Sequence, residues 1–75
     1  MRRFILRRSH DVSGISGTGD VAEGVQFSDG TVTIRWTTHP RSHVVWDSIA
    51  DAEHVHGHSG ATRVHWLDGP SLNAA

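Results

Sequence analysis

Three histidines at alternate positions, His54, His56 and His58, with His65 close behind, are the side chains best suited to chemistry in this 75-residue chain. In an extended strand, residues i, i+2 and i+4 share a face. Three imidazoles there would converge on a borderline metal such as Zn²⁺ and leave a fourth position open for water. Asp51 or Glu53 could then orient a ligand or act as base. The surrounding residues argue against this. His54 falls at the end of a helical pattern, Gly57 and Gly60 interrupt any strand, and the spacing is not H-E-x-x-H. Ordinary uses account for the same residues. His54 suits the negative end of a helix, His56 or His58 can tie loop carbonyls, and His58, between Gly57 and Ser59-Gly60, can brace a turn. The expectation is that no metal or cofactor is held.

Other catalytic arrangements are weaker still. Asp47, Asp51 and Glu53 are close in sequence, but they sit where carboxylates favour a helix N-terminus, and capping explains them more simply than acid–base work. There is no cysteine, so neither a thiolate ligand nor a Cys nucleophile exists. Ser16, in Gly14-Ile15-Ser16-Gly17, narrowly misses the nucleophile-elbow pattern. The glycine-rich run Ser13 to Gly19 has G-x-x-G and G-x-G spacing. It lacks the Lys of a phosphate loop, and strand rather than helix follows it. A chain this short buries only roughly 60% of its unfolded surface, which favours a binding surface over a walled active site. The expected protein is not an enzyme.

Charge gives little direction. The formal net charge is −1 with the seven histidines neutral, and it turns positive as they protonate in mild acid. All seven basic residues are arginine. Because lysine codons are AT-rich, this reads as high-GC codon usage rather than selection for guanidinium geometry. Arg2, Arg3, Arg7 and Arg8, joined by Arg63, could contact nucleic acid, with affinity falling steeply with salt. The plainer reading is charged strand ends that protect an edge, and the acidic balance argues against nucleic acid as partner. The apolar run Phe4-Ile5-Leu6 is far shorter than the roughly 7–15 residues of a signal-peptide core, and no stretch approaches the roughly 20 apolar residues of a membrane span. A soluble, cytoplasmic protein without membrane contact is expected.

The elements that must position these residues follow from alternation. Phe4-Ile5-Leu6 is a first strand, with Phe4 and Leu6 on one face. Ser9 to Asp20 is a long loop, and Val12 and Ile15 tuck its arc onto the body. Val21 to Trp36 is a hairpin. Val25 and Phe27 alternate on the way in, Ser28-Asp29-Gly30 turns, and Val32, Ile34 and Trp36 alternate on the way out. Phe27, Ile34 and Trp36 are expected core. Gly24, inside the first arm, predicts a bulge or sharp bend. Thr37 to Ser42 turns around Pro40. His43 to Trp46 is a fourth strand, with Val44 and Trp46 on one face and Val45 on the other. Asp47 to Val55 is a short helix or a single 3₁₀ turn capped by Ser48, with Ile49, Ala52 and Val55 inward. His56 to Gly60 is a turn, and Arg63 to Leu67 is the last strand, with Val64 and Trp66 sharing a face. One domain over residues 1–68 is expected, with a flexible tail at 69–75.

This order of elements, with Gly24, Val25, Asp29, Gly30, Val32, Ile34 and Trp36 forming a G-V…D-G-x-V-x-I-x-W pattern, resembles the SH3-like small barrels, including Tudor and KOW-type relatives. The resemblance implies a mainly β fold: a small five-stranded barrel with one short helical turn before the last strand. A Tudor-type aromatic cage would have to come from Phe27, Trp36, Trp46 and Trp66, most of which alternation places in the core. KOW-type RNA binding does not suit the acidic balance. The segments SGISGTG, GVQFSDGTVTIRW, WDSI and HGHSGATRVHW resemble short uncharacterised proteins of actinobacteria and actinobacteriophages, which implies a phage accessory role. The expected function is binding of another protein, a host protein or a second copy of the chain. The expected surface is the loop rim carrying Val12, Ile15, His39, Arg41, His56 and His58, with Arg35 an exposed polar contact.

Overall fold

The structure is a computed structural model and describes residues 1–9, 19–37, 39–57 and 60–69. Five strands form one antiparallel sheet: β1 (Arg2–Arg8), β2 (Gly19–Gln26), β3 (Val32–Trp36), β4 (His43–Trp46) and β5 (Thr62–Trp66). One helix, α1 (Ile49–His56), precedes the last strand. The spatial order is β4-β3-β2-β1-β5. The mainly β fold with a single short helix is therefore as expected, but the barrel is not closed: β4 and β5 are the two edges of the sheet.

The register explains which residues are buried. Phe4 lies opposite Gly24 on one side and Trp66 on the other, Gly24 opposite Ile34, and Ile34 opposite Val44. Directly opposed residues point to the same face. Phe4, Leu6, Ala22, Val32, Ile34, Val44, Val64 and Trp66 thus share the face that α1 covers. Of these, Phe4, Leu6, Ala22, Val32 and Ile34 are buried, joined by Val21 and Ala52, while the three tryptophans, Ile49, Val44 and Val64 pack partly buried around them. Burying a large apolar side chain contributes about 1.5–3 kcal/mol, so Phe4, Ile34, Val21 and Val32, with almost no exposed surface, carry much of the fold.

The incoming arm of the hairpin has the opposite phase to the expected one. Ala22 and Gly24 face the core, so Val25 points to the uncovered face, and Phe27, just past the strand, is 42% exposed. The core space under β2 is filled from β1 instead. A Cβ built on Gly24 would lie 2.6 Å from Phe4 Cε2 and 2.9 Å from Cε1. Gly24 is not a bulge, since register runs through it unbroken on both sides. It is a close approach that admits the Phe4 ring. The bulge falls earlier, where Leu6 pairs with Ala22 but Arg7 with Asp20. Val21 is the extra residue, and the shift turns it and Ala22 inward together.

The turns follow their residue chemistry. Gly30 has φ +91° and its N–H donates to the Phe27 carbonyl at 3.0 Å, while the Phe27 N–H donates to the Thr31 carbonyl at 2.8 Å. This is a three-residue hairpin loop ending on a left-handed glycine. Asp29 Oδ1 accepts from the Thr31 amide at 3.0 Å and its hydroxyl at 2.7 Å. These bonds hold the Asp29 carboxyl below its usual range, the hydroxyl contributing most. Ser48 caps α1 by accepting from the Asp51 amide at 3.1 Å. Ala52 is the helix residue fully inward, and Val55 is half-exposed rather than buried.

Gly24→Ala is expected to destabilise the protein by about 1–3 kcal/mol through overpacking against Phe4. In urea unfolding, Gly24→Ala combined with Phe4→Leu should cost less than the sum of the single changes, with a coupling of about 1 kcal/mol.

Candidate functional site

The residues singled out by type divide between α1, the turn before β4 and stretches outside the described residues. His54 and His56 belong to α1, not to a strand. Two residues apart on a helix, they project roughly 200° apart. His54 is exposed, whereas His56 is half-buried and is the last helical residue rather than part of a turn. Its ring sits edge-on to Trp36, with centroids 5.0 Å apart, and to Trp46, at 5.5 Å. His58, Val12, Ile15 and Ser16 lie outside the described residues. Among the described residues, no group of three His, Cys, Asp or Glu side chains is placed to share a metal ion. Asp47, Asp51 and Glu53 are exposed at and around the capped end of α1. His39 and Arg41 are exposed on the turn between β3 and β4, with Arg41 Nη1 and His39 Nε2 3.4 Å apart.

The N-terminal arginines are each engaged. Arg2 stacks on Trp66, its guanidinium carbon 3.6 Å from the ring centroid. Arg7 bonds Asp20 across β1 and β2 at 2.8 Å. Arg8 is no solvated strand end: it is 2% exposed, donates to the Thr62 hydroxyl at 2.7 Å, and lies 5.7 Å from the Trp36 ring. The reason is its phase, since it continues the inward series Phe4, Leu6. Its aliphatic stem packs while its Nε–H finds the one hydroxyl opposite it. Arg63 donates to the Gly60 carbonyl at 3.3 Å.

Arg3 makes the most complete polar contact. Its Nε and Nη2 donate to the two carboxylate oxygens of Asp68 at 3.0 and 2.9 Å, and its backbone N–H donates to the same side chain at 2.8 Å. The Leu67 N–H returns a bond to the Arg3 carbonyl at 2.9 Å. These bonds fasten the chain beyond β5 to the start of β1. The hydrogen bonds from Arg3, side chain before backbone, lower the Asp68 carboxyl to about 2, and Asp68 raises the Arg3 guanidinium in turn.

The uncovered face of the sheet holds a candidate site that the residue types did not single out. A groove of about 450 Å³ runs across it, with Val25, Thr33 and the Gly24 backbone along its length, Phe27 and Leu67 beside Arg3 at one end, and Glu23, Arg35 and His43 at the other. Phe27 and Leu67 are 42% and 48% exposed, large apolar surfaces at the ends of strands. Arg35 is only loosely paired, 3.9 Å from Glu23 on the neighbouring strand. One signal for the groove was present in the sequence. Val25 and Phe27 alternate strictly, but the pattern alone does not say which face is covered.

The class defined by this geometry is a small β-sheet protein, one face packed under a helix and the other left open with a grooved, mixed apolar and charged surface. The chain belongs to the Acb5 phage protein family, whose model it matches over residues 1–68. No curated protein and no solved structure matches it. Among the described residues, no helix is long and apolar enough to cross a membrane.

The Asp68 carboxyl carries a pH prediction. Its folded pKa lies below its unfolded value, so the Arg3 contact contributes stability that is present above pH 3.8 and lost as pH falls toward about 2. In thermal melts across that range, wild type and Asp68→Asn should differ at pH 5 and converge near pH 2, because only the wild type has a carboxylate left to protonate.

Proposed function

We propose that this phage protein is a non-enzymatic accessory module that binds another protein, a host protein being the expected target, through the uncovered face of its sheet. The groove carries the reading: half-exposed Phe27 and Leu67 lie at one end, with Arg35 and His43 at the other. Exposed apolar side chains in the same groove as the Arg35 guanidinium suit a protein segment with an apolar anchor and a neighbouring carboxylate. The anchor seats between Phe27 and Leu67, and the carboxylate takes the fork of Arg35, whose present partner is distant enough to exchange. His39 and Arg41, on the turn beside β4, extend the same polar end. The all-arginine basic composition supports an actinobacterial source, so an actinobacterial lysate is the place to look for the target.

Affinity capture with the wild-type chain is expected to retain one specific host protein, and Phe27→Ser and Arg35→Glu should each lose it while keeping wild-type melting behaviour. Equal retention by both variants, or no specific retention by the wild type, contradicts the reading.

A further inference from the structure

The two sheet edges are not equivalent. The β5 edge is partly closed, because the Thr62 N–H donates to the Gly57 carbonyl at the end of α1, at 3.0 Å, and Arg63 places a charge on the strand. The β4 edge is open. The Trp36 N–H donates to the Ser42 carbonyl at 3.0 Å, one pair beyond Arg35↔His43. By the alternation of antiparallel ladders, Val44 and Trp46 therefore turn their backbone groups to β3, while His43 and Val45 turn theirs outward. Among the described residues nothing pairs with those outward groups. Of the devices that ordinarily blunt an edge, β4 has only shortness: its four residues read His-Val-Val-Trp, without Lys, Arg, Pro or bulge, and Val45 is 70% exposed.

We propose that this edge pairs with the same edge of a second copy, making a twofold dimer with one continuous ten-stranded sheet. An axis normal to the sheet keeps both helices on one face, and opposed residues must then point the same way. Centring the register on Val45 satisfies this and sets Val45 against Val45, Val44 against Trp46, and His43 against Asp47 of the second copy. The first two pairs join β-branched and aromatic surfaces, and the third places a histidine against a carboxylate. A register centred on Val44 sets Ser42 against Trp46 and His43 against Val45, and loses all three. The outward N–H and C=O groups of Val45 bond reciprocally across the axis, and those of His43 bond Asp47. The dimer also brings two copies of the groove onto one surface. It does not depend on what the groove binds.

Sedimentation of the full chain should give twice the chain mass, with a melting temperature that rises with protein concentration. Val45→Lys sets two cations against each other across the axis and should halve the mass. Val45→Pro, which removes only an outward-facing N–H, should do the same. Wild type at single-chain mass across the concentration series, or Val45→Lys still at double mass, overturns the proposal. Should Val45→Pro fail to fold, Val45→Lys decides, because that side chain stands in solvent in the single chain. Affinity capture by Val45→Lys separates this proposal from the function proposed for the groove, since a monomer that still retains the target leaves the groove reading intact.

Discussion

The Phe4 ring beneath Gly24 is the contact on which the rest of the molecule depends. Phe4 is fully buried at the centre of β1, which pairs with both β2 and β5. It can lie there only because the residue opposite it on β2 has no side chain. Its edge meets Trp66 with centroids 5.2 Å apart, and Ile34, opposite Gly24 on the far side, completes the centre of the core. One large ring thus fills space belonging to two strands. That economy matters in a chain this short, where a few buried side chains must outweigh the ordering of the whole backbone. The same contact fixes the phase of β2. With Gly24 inward, Val25 must face outward, and the groove on the uncovered face follows from the packing of the covered one.

The covered face also explains why the polar residues that look most chemical take structural places. Arg8 continues the inward phase of β1 and is buried against Thr62 and near Trp36. His56, closing α1, lies between Trp36 and Trp46. Both add planar, polarisable surface at the margin of a core whose helix is only eight residues long. A helix of that length is marginal without tertiary contacts. The Ser48 cap secures its first turn, and Ile49, the buried Ala52 and the His56 ring hold it to the sheet.

Much of this was legible in the residues themselves. The Ser28-Asp29-Gly30 turn, the inward series Val32, Ile34, Trp36, the opposite faces of Val44 and Val45, the shared face of Val64 and Trp66, and the Ser48 cap all follow from local chemistry that the fold does not override. The misreadings share one cause. Alternation gives the period of a strand but not its phase, and phase is set by what the neighbouring strand supplies. Val25 and Phe27 are apolar, yet the core takes Val21 and Ala22 from this arm instead, and at Gly24 the Phe4 ring already occupies the space. Arg8 read as an exposed end because charge outweighs phase in a local pattern. His56 read as a turn because Gly57 follows it, and the helix runs one residue further. Closure of the barrel is a property of the two edges together, which no single segment encodes. The groove was hidden for the same reason: its lining comes from β1, β2, β3, β4 and the ends of two strands, and only the register brings them together.

The most direct test of the Phe4–Gly24 packing is the proton chemical shift of the Gly24 Hα pair. The α-proton standing where a side chain would be points into the Phe4 ring, so ring current should move it well away from the ordinary glycine position and split it from its geminal partner. In Phe4→Leu the two protons should return toward each other. A Gly24 pair at ordinary, near-degenerate shifts in the folded wild type, unchanged by Phe4→Leu, would contradict the account of how this sheet is built.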